Sequence, residues 1–363
     1  YMSSGFDPAK FANESEVRRS LKDLRAQRAE VLHEYRKAVE SLRRRVQSSP
    51  DWAQLYRDAL EDLFVDELSL HDVVMVARNH KKPLVHADSF FRKIVERRRM
   101  KQLGAVPEKF LGLDKDRDVE FAEIAGFRVA RTLWRGNLAE VPEGLRESTF
   151  LKPTISSGSK GAFTLFAADD IFCTMNAKRL SSWSAVRDEA ARQLARQDVD
   201  LIEWQVQELV CEAPGTPARD LKFYSFYGEV GLILEVVRNP TRQYEYFDPD
   251  GRIADSGRVH SVQPPFKDPR DTVTDKGFIS GEMFKTVRRL SLSIPAPFMR
   301  IDFLLGQGEL VFCEFSSSPA FSHIHPPKYQ AKLGKMYLEA QMRLEADLAS
   351  GKEFSAYRQW SRD

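Results

Sequence analysis

The chain has 363 residues, 42% of them hydrophobic, and its 55 basic and 53 acidic side chains leave a formal net charge of +2. That size and composition suffice for one large core or two to three domains and exclude a disordered chain, while the near-neutral balance provides no global field that would select nucleic acid as a partner. Three cysteines, Cys173, Cys211 and Cys313, lie in apolar surroundings without CxxC spacing, which argues for a reducing compartment and against disulfides or zinc. No apolar run reaches membrane-spanning length and no signal-peptide h-region opens the sequence, so a cytoplasmic protein is expected.

Asn13 to Gln47 predicts one long helix, with Val17, Leu21, Leu24, Val31, Tyr35, Ala38 and Leu42 along one seam and Arg28 interrupting it. A helical hairpin explains that seam, and so does a coiled-coil homodimer through this helix; Ser48-Ser49-Pro50-Asp51 supplies the break. Its many basic residues fit a solvated face better than a nucleic-acid surface. Trp52 to Asp66 reads as a second helix, and His71, His80 and His86 lack metal-ligand spacing. Phe90 to Leu103 is a further helix with Ile94 and the Phe90-Phe91 pair on one side, stopped by Gly104. Ala105 to Gly112 then leads into the first short strands of an α/β domain, and Phe127 to Trp134 fits a helix or a strand alike.

From Ser148 the signals sharpen. Thr149 to Pro153 is a short buried strand carrying Lys152, followed by the loop Ser156-Ser157-Gly158-Ser159-Lys160-Gly161 and a strand from Ala162 to Phe166. A glycine-serine tip offers N–H groups and hydroxyls to an anion, and Lys152 can meet a phosphate as a point charge. It is not a P-loop, because the Gly-x4-Gly-Lys-Ser/Thr pattern and its following helix are missing. Ser184 to Gln197 predicts a helix, Leu201 to Val210 a strand, and Ala213 to Ala218 a linker between subdomains. Arg219 to Phe226 and Glu229 to Val237 form a hairpin turning at Tyr227-Gly228, with Asp220 and Lys222 on one strand face and Arg238 at the end of the second strand.

Met299 to Leu305 and Glu309 to Phe315 flank Gly306-Gln307-Gly308, a second hairpin. Alternation places Arg300 and Asp302 on one side of the first strand and Glu314 and Ser316 on one side of the second. If the register sets Asp302 opposite Glu314, two carboxylates converge among apolar strands, and a cation between them would offset their repulsion. Oxygen ligands of this kind suit Mg²⁺ bound with a nucleotide. The same spacing also fits a strand pair whose acids face water.

Taken in order, Lys152 with the glycine loop, Gln207-Glu208-Leu209-Val210, Asp220-Leu221-Lys222 before a hairpin, Arg300-x-Asp302 and Glu314-Phe315-Ser316-Ser317-Ser318-Pro319 resemble the ATP-grasp superfamily, most of all its branch associated with teichuronopeptide synthesis. The resemblance implies an α+β fold in which two subdomains grip ATP, preceded by an N-terminal helical extension. Its expected divisions are residues 1–85 for the helical region, 86–147 for a preceding α/β subdomain, 148–212 and 213–349 for the two gripping subdomains, and 350–363 for a tail. Lys152 would contact the phosphates or the adenine edge, and Ser157, Gly158, Ser159, Lys160 and Gly161 would fold over the β- and γ-phosphates. Backbone groups of Glu208 and Val210 would hold adenine, Glu212 the ribose, and Lys222, beside Asp220, the γ-phosphate. Asp302 and Glu314 would hold Mg²⁺, with Ser316 standing where the family usually has Asn or Asp, a weaker ligand.

The implied activity is that of an ADP-forming ligase joining a carboxylate to an amine through an acylphosphate, on small-molecule, peptide or glycan-linked substrates. Arg238 and Arg300 are candidates for neutralising the transferring group, with ion pairing to Glu235 and Asp302 as the structural alternative. The polar stretch Asn239 to Gly281 is expected to shape the acceptor site, and His323 and His325 either orient the acceptor amine or cap their loop. A kinase phosphorylating a hydroxyl would use the same nucleotide residues, and a non-catalytic ATP-binding scaffold is the third alternative.

Overall fold

A computed structural model describes residues 13–63, 67–80, 89–112, 114–155, 159–195, 198–240, 243–254, 279–319 and 325–361. Two units, Tyr1–Ala87 and Asp88–Asp363, make up the chain. The first holds α1 (Glu14–Arg43), α2 (Pro50–Glu61) and α3 (Leu70–His80). Asn13 caps α1 by accepting the Glu16 N–H, and Ser49 caps α2 by accepting that of Trp52 with Pro50 at its first turn, so the sequence breaks fall where capping chemistry puts them.

The packed stripe of α1 differs from the expected seam. Val39 and Val46 are buried with Tyr56, Leu60 and Leu63, flanked by Leu32, Tyr35 and Leu42, whereas Leu21, Leu24 and Val31 are 41, 42 and 69% exposed. Positions 32, 35, 39 and 42 follow the helical three-four spacing, sharing only Tyr35 and Leu42 with the expected seam, and Val46 in the turn after α1 continues the packed stripe. Length explains the difference: α2 spans roughly 18 Å against about 45 Å for α1, so it covers only the C-terminal part of the longer helix. Asp72 fastens α3 to the pair, accepting from the Tyr56 hydroxyl at 2.5 Å and facing Arg43 at 3.2 Å.

The second unit runs α4 (Phe90–Gln102), α5 (Lys115–Ile124), β1 (Thr132–Gly136), β2 (Thr149–Pro153), β3 (Phe163–Ala167), β4 (Asp170–Cys173), β5 (Lys178–Leu180), α6 (Trp183–Gln193), β6 (Trp204–Glu208), β7 (Cys211–Ala213), β8 (Thr216–Pro217), β9 (Arg219–Phe226), β10 (Glu229–Val237), β11 (Gln243–Phe247), α7 (Gly281–Leu292), β12 (Met299–Gly306), β13 (Glu309–Ser316), α8 (Pro327–Ala349) and α9 (Ser355–Trp360). One antiparallel sheet has the order β1-β6-β2-β3-β4-β5 and another β11-β10-β9-β12-β13. Leu151, Phe163, Leu165, Trp204 and Val206 of the first pack on Val186 and Ala190 of α6. The second sheet is covered on both sides, by α7 through Met283, Val287 and Leu290 and by α4 and α8 through Phe90, Ile94, Leu333 and Tyr337.

Both predicted hairpins of the larger core turn on two left-handed residues, Tyr227-Gly228 (φ 43° and 92°) and Gln307-Gly308 (φ 40° and 88°), the backbone that matches strand twist. Three expectations are corrected and one open reading is decided. The Phe pair of α4 is split, Phe90 fully buried and Phe91 41% exposed, because neighbours on a helix lie about 100° apart. Among the described residues no strand lies between Ala105 and α5; instead a 3₁₀ turn, Pro107–Phe110, leads into α5, whose cap Asp114 accepts from the Asp116 and Arg117 N–H groups. Residues 213–218 are more than a linker, since β7 and β8 pair around Gly215. The undecided 127–134 stretch ends in a strand, where Trp134 to Gly136 pair with β6.

For the N-terminal unit, Val39→Ala is expected to destabilise by about 2 kcal/mol. Val31→Ala, on the stripe that does not pack, should change stability by no more than about 0.5 kcal/mol. Urea unfolding of both variants in the full chain reads the difference, and equal losses would restore the longer seam.

Candidate nucleotide site

Between the two sheets lies a cavity of about 420 Å³. Its floor is built by register. Lys222 of β9, Asp302 of β12 and Glu314 of β13 stand in one row across three strands, and Tyr224, Arg300 and Ser316 form the next row. The conditional reading of the hairpin is thus met: Asp302 is opposite Glu314. A β-bulge between Asp302 and Phe303 leaves Cys313 as the extra residue, so Cys313 and Glu314 both face the cavity despite being adjacent.

The floor is an ion-pair network with little solvent. Asp302, fully buried, accepts two 2.7 Å bonds from the Arg300 guanidinium and one of 2.5 Å from Lys222. Lys222 also meets Asp220 at 2.8 Å, and Arg238 meets the same Asp220 oxygen at 2.7 Å. Arg238 therefore pairs with Asp220; the expected partner Glu235 is taken by Arg219 at 2.8 Å. Arg300 does pair with Asp302, and its guanidinium lies 3.7 Å from Glu314. Burial works against the charges of Asp302 and Lys222. It would raise the Asp302 carboxyl, but Arg300 and Lys222 outweigh it and hold the group below its usual range. Burial would likewise depress Lys222, yet Asp220 and Asp302 carry it above an ordinary lysine.

The opposite wall comes from β2 and β6. Phe150 and Lys152 of β2 sit across from Gln207 and Gln205 of β6, and all four line the cavity. Lys152 has no hydrogen bond or ion pair among the described residues, and burial depresses its ammonium below the usual lysine value. At the hinge, the Glu208 N–H donates to the Arg131 carbonyl and its carboxylate meets Arg131 and Arg128, while the Val210 carbonyl accepts from Ala218.

The structure brings Lys152, Ser159, Glu208, Val210, Asp220, Lys222, Arg238, Arg300 and Glu314 to the cavity lining. Asp302 lies beneath the floor and Ser316 one row beyond it. Glu212 is outside the lining, forked to Arg219. Lys160 is exposed away from the cavity, and the Gly161 N–H donates to Gln193 at 2.8 Å. Ser157, Gly158, His323 and most of the Asn239 to Gly281 stretch lie outside the described residues. His325 is buried edge-on to Tyr224 and Tyr246.

A third wall escaped the sequence reading. Lys115 and Asp116 of α5 and Thr132 and Arg135 of β1 line the cavity, with Asp116 and Arg135 joined by bonds of 2.6 and 2.7 Å and Lys115 3.8 Å from Glu314. Asp118 anchors α5 to the floor by accepting the Gly112 N–H at 2.8 Å and that of Phe315 at 3.2 Å; burial pushes this carboxyl up to about 7. Asp114 followed by Asp116 and Asp118 is an N-cap signal that could have marked the helix.

Asp302→Asn, which strips the common partner from Lys222 and Arg300, should cost about 3–5 kcal/mol of stability. Glu314→Gln, on a side chain 30% exposed, should cost no more than about 1 kcal/mol. Denaturant unfolding compares them, and a neutral Asp302→Asn would mean that the network contributes nothing to the fold.

No curated protein sequence matches the chain significantly. Among solved structures, similar ones include the ATP-grasp ligase PsnB complexed with a phosphomimetic precursor variant, Mg and ADP (14% identity, 74% of each chain covered, TM-score 0.36). D-alanine--D-alanine ligase from Bacillus anthracis complexed with ATP is another (11% identity, 72% of this chain and 76% of that one, TM-score 0.39). A sequence model of the TupA-like ATP-grasp domain matches residues 141–338, more than half of the chain and every strand of the two large sheets except β1. With its α+β architecture of N-terminal helices and antiparallel sheets, the chain belongs to the TupA-like ATP-grasp family.

Proposed function

We propose that the protein is an ATP- and Mg²⁺-dependent ligase that activates a carboxylate as an acylphosphate and passes it to an amine. The observation that carries this reading is the placement of charge: Lys222, Arg300 and Arg238 are fixed on the cavity floor, and Lys152 reaches into the same space from the opposite wall without a hydrogen-bond or ion-pair partner among the described residues. With Lys115 and Arg135 of the third wall, six basic side chains line this space, an arrangement suited to a polyphosphate. At the hinge, the Glu208 N–H and the Val210 carbonyl are already engaged. The Glu208 carbonyl and the Val210 N–H are therefore the acceptor and donor assigned to the amino group and ring nitrogen of adenine.

Among the described residues no cluster of three or more His, Cys, Asp or Glu side chains forms a ready metal site. The donor types suit Mg²⁺, since all are hard oxygen ligands: Glu314 lines the cavity, Asp302 stands in its row with both oxygens bonded by Arg300 and Lys222, and the Ser316 hydroxyl is in the next row. Magnesium held there would neutralise phosphate oxygens and orient them. Arg300 and Lys222 hold Asp302 ionised, and Arg238 with Lys222 faces the charge that develops on the transferring group. In the first step a substrate carboxylate oxygen bonds to the γ-phosphorus as its bond to the ADP oxygen breaks. In the second an amine bonds to the acyl carbon, loses one proton, and expels inorganic phosphate. Exclusion of water by the enclosing sheets protects the acylphosphate between these steps.

A charge-assisted phosphate contact is worth roughly 1.5–3 kcal/mol, so Lys152→Met should weaken ATP binding about ten- to a hundredfold by titration calorimetry, with Lys160→Ala near wild type. Release of ADP and phosphate only when acid and amine are both supplied marks the ligase. Phosphate retained on a substrate hydroxyl would make the protein a kinase instead, and failure of wild type to bind ATP would sink the whole reading.

A further inference from the structure

Gln205 of β6 is 3% exposed, lines the cavity, and holds its Oε1 buried without a hydrogen-bond partner. A buried amide oxygen left unpaired is costly, and native proteins keep such groups where a ligand completes them. Its neighbours place it. Gln205 stands across the ladder from Lys152, on the cavity face it shares with Gln207, three residues before Glu208. On the nucleotide reading above, Glu208 and Val210 take the outer edge of adenine, N1 and N6. The edge that remains is N6 with N7, turned toward the strand that precedes the hinge.

We infer that Gln205 is the residue that reads the base, its amide nitrogen donating to N7 and its oxygen accepting from the N6 amino group. An amide offers one donor and one acceptor side by side, and half a turn about its last torsion exchanges them, so glutamine pairs with this edge of adenine through two bonds. Guanine carries an oxygen at C6, which would set two acceptors face to face. Lys152, beside Gln205 on the next strand, is then left to the phosphates. Nothing in the fold requires a glutamine here: the adjacent interior positions of β6, Trp204 and Val206, are apolar and fill the core.

Binding of ATP, 7-deaza-ATP and tripolyphosphate to the full chain with Mg²⁺ tests the assignment. Replacing N7 by carbon removes one of the two bonds, and wild type is expected to bind 7-deaza-ATP about tenfold more weakly than ATP. Gln205→Met should weaken ATP by about ten- to a hundredfold, close the gap between the two nucleotides, and leave tripolyphosphate affinity unchanged. Gln205→Glu keeps the shape and the acceptor but loses the donor, and should close the same gap if the Met variant does not fold. Equal binding of ATP and 7-deaza-ATP by wild type overturns the assignment. So does a gap that survives in the variants, since N7 would then be read by another group such as Lys152. Wild type binding none of the three would defeat the nucleotide reading itself, a result distinct from either.

Discussion

Asp302 has no contact with solvent and yet carries a full charge, and the two strands beside it are placed so that this can hold. β9 brings Lys222 to one flank, β12 returns Arg300 from two residues upstream, and three bonds between 2.5 and 2.7 Å satisfy the carboxylate. An isolated carboxylate in such a place would be protonated, because desolvation of a single charge outweighs any one surface contact. Paired twice, it stays ionised and in turn holds two cations pointing at the cavity. The register of three strands is thereby tied to the electrostatics of the site: a slip of one residue would turn Asp302 into the apolar layer under α7 and remove both functions at once.

On the cavity floor the charges balance, with Lys222, Arg300 and Arg238 set against Asp220, Asp302 and Glu314. On the proposed reading, a polyphosphate would meet cations already oriented here, and little side-chain entropy would be lost on binding. The opposite wall is built differently. Lys152 and Gln205 are neighbours across the ladder, one without an ion pair among the described residues and the other with an unpaired amide oxygen. The floor is paired more completely, although one oxygen of Asp220 is also left without a partner; polar groups left incomplete around a cavity are what a binding cleft would use.

Part of the cavity is made by residues outside the matched family domain. α5 and β1 precede residue 141, yet Lys115, Asp116, Thr132 and Arg135 form its third wall. This segment is held at both ends: Phe121 packs against Phe315 and Trp360, the Phe312 N–H donates to the Arg128 carbonyl, and β1 pairs with β6. A short length of chain therefore runs from the edge strand of one sheet to the edge strand of the other, covering both edges where they would otherwise be open.

Local chemistry was legible in the sequence. The two hairpins with their glycine turns, the helix start at Asn13 and the break at Ser48 to Asp51, and the alternation that set Arg300 with Asp302 and Glu314 with Ser316 all follow from backbone sterics and period, and the ordered motifs marked the family. What lay beyond it were relations between distant segments. Whether Val31 or Val39 packs depends on how far α2 reaches along α1, and whether Arg238 or Arg219 meets Glu235 depends on cross-strand neighbours that no spacing along one strand reveals. The bulge that exposes Cys313 beside Glu314, the α5 wall anchored by Asp118, and the unpartnered state of Gln205 belong to the same class. Pattern in a sequence reports which face a residue prefers; only the folded chain decides which groups fill the far side of that face, because burial and pairing are properties of the contact and not of either residue alone.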